Sequence, residues 1–170
     1  GSEYPKIKDD YTQVFSPQTA YQVTSMLEGV IERGTGKKLK DLRLNLAGKT
    51  GTTNENTDAW FIGFTSNMVI GVYVGMDNPK SLGRYETGSK TALPVFKNFI
   101  IQAVKKSEAR PFKVPEKITM MVVDPLTGLK AKFSSKNTII EVYKSDNIVD
   151  GKVLYSDNNR LETNNVLRFY

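Results

Sequence analysis

The sequence predicts an α+β fold: a mostly antiparallel sheet with helices packed on it, plus a small β appendage. Two amphipathic helical stretches, near residues 17–33 and 91–107, flank a run of β-rich segments. Those segments cover about residues 44–53, "AWFIGFTSN" and "MVIGVYVGMD", and only polar bends separate them. A parallel neighbour requires a long crossover, so strands joined this briefly must be antiparallel.

Each element has a local cause. Ser16-Pro17 opens the first helix, with Ser as N-cap and Pro at the first helical position. Ala20, Val23, Met26, Leu27, Val30 and Ile31 recur at three- and four-residue spacing and form its apolar stripe. Gly34 is expected to end the helix in a left-handed cap. After the first strand, Asn54-Glu55-Asn56-Thr57-Asp58 reads as a turn, with Glu55 and Asp58 as turn formers rather than an acid–base pair. Trp60, Phe61 and Phe64 are expected to pack the core. The second helix presents Val95, Phe96, Phe99, Ile100, Ala103 and Val104. Prolines keep Arg110-Pro-Phe-Lys-Val-Pro115 extended. "ITMMVVD", the turn Pro125-Leu126-Thr127-Gly128 and "TIIEVYK" make the appendage, and from Ser145 the chain reads as a loosely ordered polar tail.

Composition removes whole classes of chemistry. The 170 residues contain no Cys and no His, which excludes disulfides, thiol nucleophiles, Ser-His-Asp catalysis and most zinc sites. A base here must be Lys, Asp, Glu or Tyr. The net charge of +6 comes from scattered lysines, with no basic helix interleaved with aromatics, so it reads as a solvated surface rather than a nucleic-acid interface. Gly1-Ser2 reads as a remnant of expression, and no apolar run approaches the length that crosses a bilayer.

"LAGKTGTT", residues 46–53, admits two readings. A phosphate-binding loop needs glycine five residues before the Gly-Lys pair and a helix after it, but Arg43 stands at that place and Gly51-Thr52-Thr53-Asn54 is poor helix sequence. Gly34-x-Gly36 lacks its third glycine, and Ser89 interrupts "ETGSKTAL". The other reading is a strand beside an acyl-transfer site. Alternation sends Lys49 and Gly51 one way and Thr50 and Thr52 the other. Lys49 supplies fixed charge for a carboxylate, Gly51 clears space for a substrate backbone, and the Thr52 N–H can donate to an oxyanion.

The surroundings carry a resemblance. "SPQTAYQVTSMLEGVIERGTG", "AGKTGTTNENTDAWFIGFTSNMVIGVYVGMDN" and "GSKTALPVFKNFI" are similar to the C-terminal half of the transpeptidase domain of class A penicillin-binding proteins. The resemblance runs over residues 15–101 and, more loosely, through "KITMMVVDPLTGLKAK" and "TIIEVYK". It implies a serine-transpeptidase fold, related to that of β-lactamases, with Lys49 and Thr52 catalytic and Thr50 and Gly51 binding substrate. It implies three segments: 3–109 as part of the transpeptidase domain, 110–144 as the appendage and 145–170 as the tail. No metal or organic cofactor is implied. The implied partners are peptidoglycan stem peptides and β-lactams, at the periplasmic face of a bacterial inner membrane, in a membrane-anchored protein that also carries a glycosyltransferase domain.

The family's nucleophile stands in Ser-x-x-Lys, and no serine here is followed by lysine at that spacing. Ser145-Asp146-Asn147 and Ser156-Asp157-Asn158 match its Ser-x-Asn motif as strings, but follow Lys49 instead of preceding it and read as chance. The chain alone is therefore expected to be inactive, to depend on an upstream half-domain, and to self-associate through uncovered apolar faces. The alternative is a binding or structural module that keeps the Lys-Thr-Gly strand without chemistry. Tyr73 and Tyr85 have no basic partner in sequence. Arg84-Tyr85-Glu86 lies in a loop that can border a cleft.

Overall fold

Helix α1 (Pro17–Glu32) starts where expected: the Ser16 hydroxyl accepts from the Thr19 N–H at 3.2 Å, and Pro17 follows. A computed structural model describes residues 12–105, 109–132, 134–149 and 152–153 of the chain. The stripe on α1 is only partly covered: Ile31 is buried, while Ala20, Val23 and Met26 are exposed. The left-handed cap is absent. Arg33 is the C-cap, at φ −136°, and Gly34 is not among the glycines with positive φ. Gly34 serves close approach instead, because a Cβ there would lie 3.0 Å from the Val30 backbone. A 3-10 turn over Lys37–Leu42 follows and buries Leu39.

The sheet runs β1 (Ala47–Thr52), β2 (Ala59–Phe64) and β3 (Val69–Val74) in spatial order, each pair antiparallel. The first strand is shorter than expected. Leu46 is buried and Leu44 packs on the core, but both precede the ladder. Register sets Lys49 opposite Ile62 and Gly71, Thr50 opposite Phe61 and Val72, and Gly51 opposite Trp60 and Tyr73. Directly paired residues share a face, so the two faces of the sheet differ in character.

One face carries Ala59, Phe61 and Gly63, all buried, and receives α2 (Ala92–Ala103). Phe61 and Phe96 meet edge to face at 4.7 Å between ring centroids, and neither is exposed at all. The buried line of α2 is Ala92, Leu93, Phe96 and Ile100. That corrects the expected face, since Val95 and Phe99 are exposed. It also corrects the length, since Val104 is already extended. The helix is apolar on more than one side, so periodicity alone did not choose which side meets the sheet.

The opposite face is open. Trp60, Ile62 and Tyr73 are 41, 49 and 50% exposed, and a Cβ on Gly71 would touch only Ile62. Trp60 is therefore not a core residue as expected, although Phe61 is. Phe64 is half-buried, edge to face with Phe112.

Beyond the proline-bearing connector, β4 (Ile118–Val123) and β5 (Ile139–Lys144) form an antiparallel hairpin. It is docked on α1: Gln22 donates to the Val142 carbonyl at 3.1 Å, and Arg33 pairs with Glu141 at 3.1 Å. The chain remains regular past Ser145, with a 3-10 turn at Ser145–Asn147 and a short pair of strands, β6 (Ile148–Val149) and β7 (Lys152–Val153). The rest of the expected tail, including Ser156-Asp157-Asn158, lies outside the described residues. Among the described residues no helix is long and apolar enough to cross a membrane.

Gly63 makes the Phe61–Phe96 contact possible, because a Cβ there would stand 2.7 Å from both rings. Gly63→Ala is therefore expected to cost about 1–3 kcal/mol of stability, as overpacking does where buried rings cannot yield. Urea unfolding of the variant measures it. A change below roughly 0.5 kcal/mol, the scale of an ordinary surface substitution, would show that the rings are free to move.

Candidate active-site strand

Among the described residues strand β1 is the edge of its sheet, with no strand neighbour on one side. Such an edge can accept an extended peptide as an added strand. The alternation expected for its four site residues is present in the register. Lys49 and Gly51 lie with Ile62 and Trp60 on the open face, and Thr50 and Thr52 lie with Phe61 and Ala59 on the other.

The four residues differ in what already engages them. Lys49 is exposed, and its ammonium group donates to the Thr50 carbonyl at 2.8 Å. Among the described residues it has no carboxylate partner, whereas Lys40, Lys90 and Lys97 are paired with Glu32, Glu86 and Asp41. The strand edge therefore carries an uncompensated positive charge. The Thr50 hydroxyl lies 2.8 Å from that of Thr35, which ties β1 to the loop after α1. Gly51 faces the Trp60 side chain, where a Cβ would stand at 3.2 Å, so the glycine also relieves crowding across the ladder. The exposed Thr52 accepts from the Gly88 N–H at 3.0 Å.

This last contact was invisible in the sequence, since 36 residues separate its partners. It belongs to a loop, residues 82–91, fastened at both ends. On one side the Asn56 carbonyl accepts from the Leu82 N–H at 2.8 Å, and the Asn56 amide donates to the Gly83 and Arg84 carbonyls. On the other, Glu86 accepts from Lys90 at 2.6 Å and Thr91 at 2.8 Å, just before α2. The one available signal was the glycine of "ETGSKTAL", which fails as a nucleotide loop and serves here as a packing point.

At the same end of the sheet, the Tyr73 hydroxyl donates to Asp58 at 2.8 Å, and its ring lies 4.6 Å from that of Trp60. The hydrogen bond to Asp58 pushes the Tyr73 hydroxyl above its ordinary pKa, with burial and further carboxylate charge adding to it. Asp58 also receives the Thr53 and Thr57 hydroxyls at 3.3 Å. Glu55 sits at φ 61° inside the turn, so both acids do close the bend. Tyr85 is exposed beneath the Arg84 guanidinium, 5.3 Å from its ring centroid. The Ser145-Asp146-Asn147 string is built into the base of the β4–β5 hairpin: the Ser145 hydroxyl lies 2.9 Å from that of Thr119. Among the described residues no cluster of His, Cys, Asp or Glu is suited to a metal ion.

An antiparallel sheet with a Lys-Thr-Gly edge strand, backed by a helix on its far face, defines the C-terminal part of a transpeptidase fold. Accordingly, residues 4–100 match the penicillin binding protein transpeptidase domain, and the chain belongs to that family. It is 45% identical over 141 residues to penicillin-binding protein 1A of Rickettsia prowazekii, and 40% identical over 135 residues to that of Pseudomonas aeruginosa. These alignments cover 83 and 79% of this chain but only 18 and 16% of the relatives. A crystal structure of penicillin-binding protein 1A from Haemophilus influenzae superposes with a TM-score of 0.69 at 32% identity, over 78% of this chain and 21% of that one.

Lys90, and then Thr91, hold the Glu86 carboxyl below its ordinary pKa. A depressed carboxylate contributes stability above the unfolded value, roughly 4.3, and that contribution is lost as pH falls through the folded one. Glu86→Gln is thus expected to lower the melting temperature at pH 7, by an amount that shrinks below about pH 4. A gap that stays constant over this range would detach the loop's anchoring from the charge of Glu86.

Proposed function

We propose that this chain is the C-terminal part of a peptidoglycan D,D-transpeptidase, with its nucleophilic serine supplied by polypeptide outside these residues. One observation supports the reading: among the described residues Lys49 has no carboxylate partner and stands on an edge strand, with Gly51 and Thr52 following in the order and spacing of the family's site. In this reading the serine attacks the penultimate D-alanine carbonyl of a stem peptide. The terminal D-alanine leaves, and the amine of a neighbouring chain then takes the acyl group.

Lys49, Gly51 and Thr52 each have a part in that chemistry. The free edge aligns the peptide backbone, and Gly51 lets it approach. Lys49 attracts the terminal carboxylate and favours ionisation of a nearby hydroxyl. The Thr52 N–H donates to the oxyanion as the tetrahedral intermediate forms, a contribution of about 3 kcal/mol when the donor is pre-aimed. β-Lactams would acylate the same serine as mimics of the stem peptide. The reaction takes place at the periplasmic face of the inner membrane, with residues 3–109 as the catalytic portion, 110–144 as the appendage and 145–170 as the tail.

Two measurements test this. In the full-length polypeptide, Lys49→Ala is expected to slow penicillin acylation roughly ten- to a hundredfold, the value of one charge-assisted contact, while stability changes by less than about 0.5 kcal/mol. Lys49→Arg should recover part of the rate, because it keeps the charge in altered geometry. An unchanged rate would make Lys49 a surface residue. The isolated 170-residue chain should form no covalent adduct with a fluorescent penicillin in intact-mass spectrometry. Stoichiometric labelling would place the nucleophile inside it.

A further inference from the structure

The β4–β5 hairpin lies outside the residues that match the transpeptidase family, and one of its edges is open. β4 pairs with β5 on one side. On the other side the chain returns only briefly. Val123 is bridged to Lys130, the Ala131 N–H donates to the Val122 carbonyl at 2.9 Å, and the Asp124 N–H donates to the Leu129 carbonyl at 3.0 Å. The chain then turns away, with Lys132 and Ser135 hydrogen-bonded to each other. In an antiparallel pair the main-chain groups of successive residues point alternately toward the partner strand and away from it. Since the Val122 carbonyl points away from β5, the main-chain groups of Met120 and Ile118 do too. Among the described residues no backbone group meets them. From Ile118 to Val122, β4 is thus an edge with unused donors and acceptors, a surface to which an extended segment can add as a strand.

The side chains along this edge define what such a segment would carry. A groove of about 630 Å³ runs beside it, and its lining includes Thr119, Met120, Val122 and Ile148 with two lysines, Lys130 and Lys132, and no carboxylate. Met120 and Val122 share one face of β4 and are each 49% exposed, with the exposed Ile140 opposite Val122 in register. Lys130 is registered against Val123, which places it with the alternate residues on the other face. Both lysines are exposed, and among the described residues neither has a carboxylate partner. A strand laid along this edge would alternate in the same way, with apolar residues beside Met120 and Val122 and acidic residues toward the lysines. Lysine on a strand edge also deters pairing, but that role favours no particular charge in a partner.

We propose that the free edge of β4 is a docking site for an extended segment of a partner protein in which branched apolar and acidic residues alternate. Main-chain bonds to Met120 and Val122 hold the segment, their side chains set its apolar positions, and Lys130 and Lys132 select its charge. A partner bound here is carried on α1, through Gln22 and Arg33, and takes no group from the Lys-Thr-Gly strand. The site is therefore independent of the acyl-transfer reading.

The test uses the full-length polypeptide and a fluorescent, end-capped octapeptide of alternating glutamate and valine, with the alternating lysine and valine peptide as its opposite. Anisotropy is expected to show saturable binding of the acidic peptide and none of the basic one. Lys130→Glu/Lys132→Glu should weaken the acidic peptide on the order of tenfold and admit the basic one, at an unchanged melting temperature. A second measurement needs no protein variant. N-methylation of the peptide at its valines, or at its glutamates, should abolish binding in one set only, because alternate amides of an added strand face β4. Binding that ignores the charge reversal, or equal effects of the two N-methylated sets, would overturn the proposal. Absence of binding at millimolar peptide would overturn it as well. Lysine-dependent binding of phosphatidylglycerol vesicles in place of the peptide would make the edge a membrane contact instead. Dimerisation in sedimentation that the charge reversal abolishes, with no peptide bound, would make it a contact between copies of the chain.

Discussion

The contact between Phe61 and Phe96 fixes the arrangement on which everything else rests. Fully burying such a ring stabilises a fold by roughly 1.5–3 kcal/mol, and the edge-to-face geometry adds to that. It holds α2 on one face of the sheet at a set height, with Ala59, Leu93 and Ile100 filling the space around it. Where α2 sits determines where its N-terminal loop runs. That loop then reaches across to Thr52 through Gly88. A packing interaction on the covered face of the sheet thereby sets the position of the loop that meets the strand edge at Thr52.

Charge is distributed to the same end. Around α2 and the 3-10 turn over Lys37–Leu42, Lys40, Lys90 and Lys97 are each paired with a carboxylate, and the Lys97 hydrogen bond holds the Asp41 carboxyl below its ordinary pKa. Exposed pairs of this kind contribute little to stability. Among the described residues Lys49, on the strand edge, has no such carboxylate partner.

Glycines do three different jobs in this small area. Gly63 makes room for two core rings, Gly51 eases the ladder beside Trp60, and Gly88 lets two backbones touch. None of the three has positive φ, so the left-handed conformation that glycine usually supplies is not the reason for any of them. At each position the absent side chain is the functional part.

By itself the sequence determined the elements and their kinds. Ser16-Pro17 started α1, short polar bends forced β1, β2 and β3 into an antiparallel order, and the motif with its flanking segments identified the family. These signals are local, because capping, alternation and turn chemistry act within a few residues. Tertiary structure decided the rest. It chose Ala92, Leu93, Phe96 and Ile100 as the packed side of a helix that is apolar nearly all round, left Trp60 exposed, and kept Gly34 out of the left-handed region. It also brought Gly88 to Thr52 across 36 residues of chain. Periodicity can show that a helix has an apolar side, but only the shape of what it packs against selects which residues face inward.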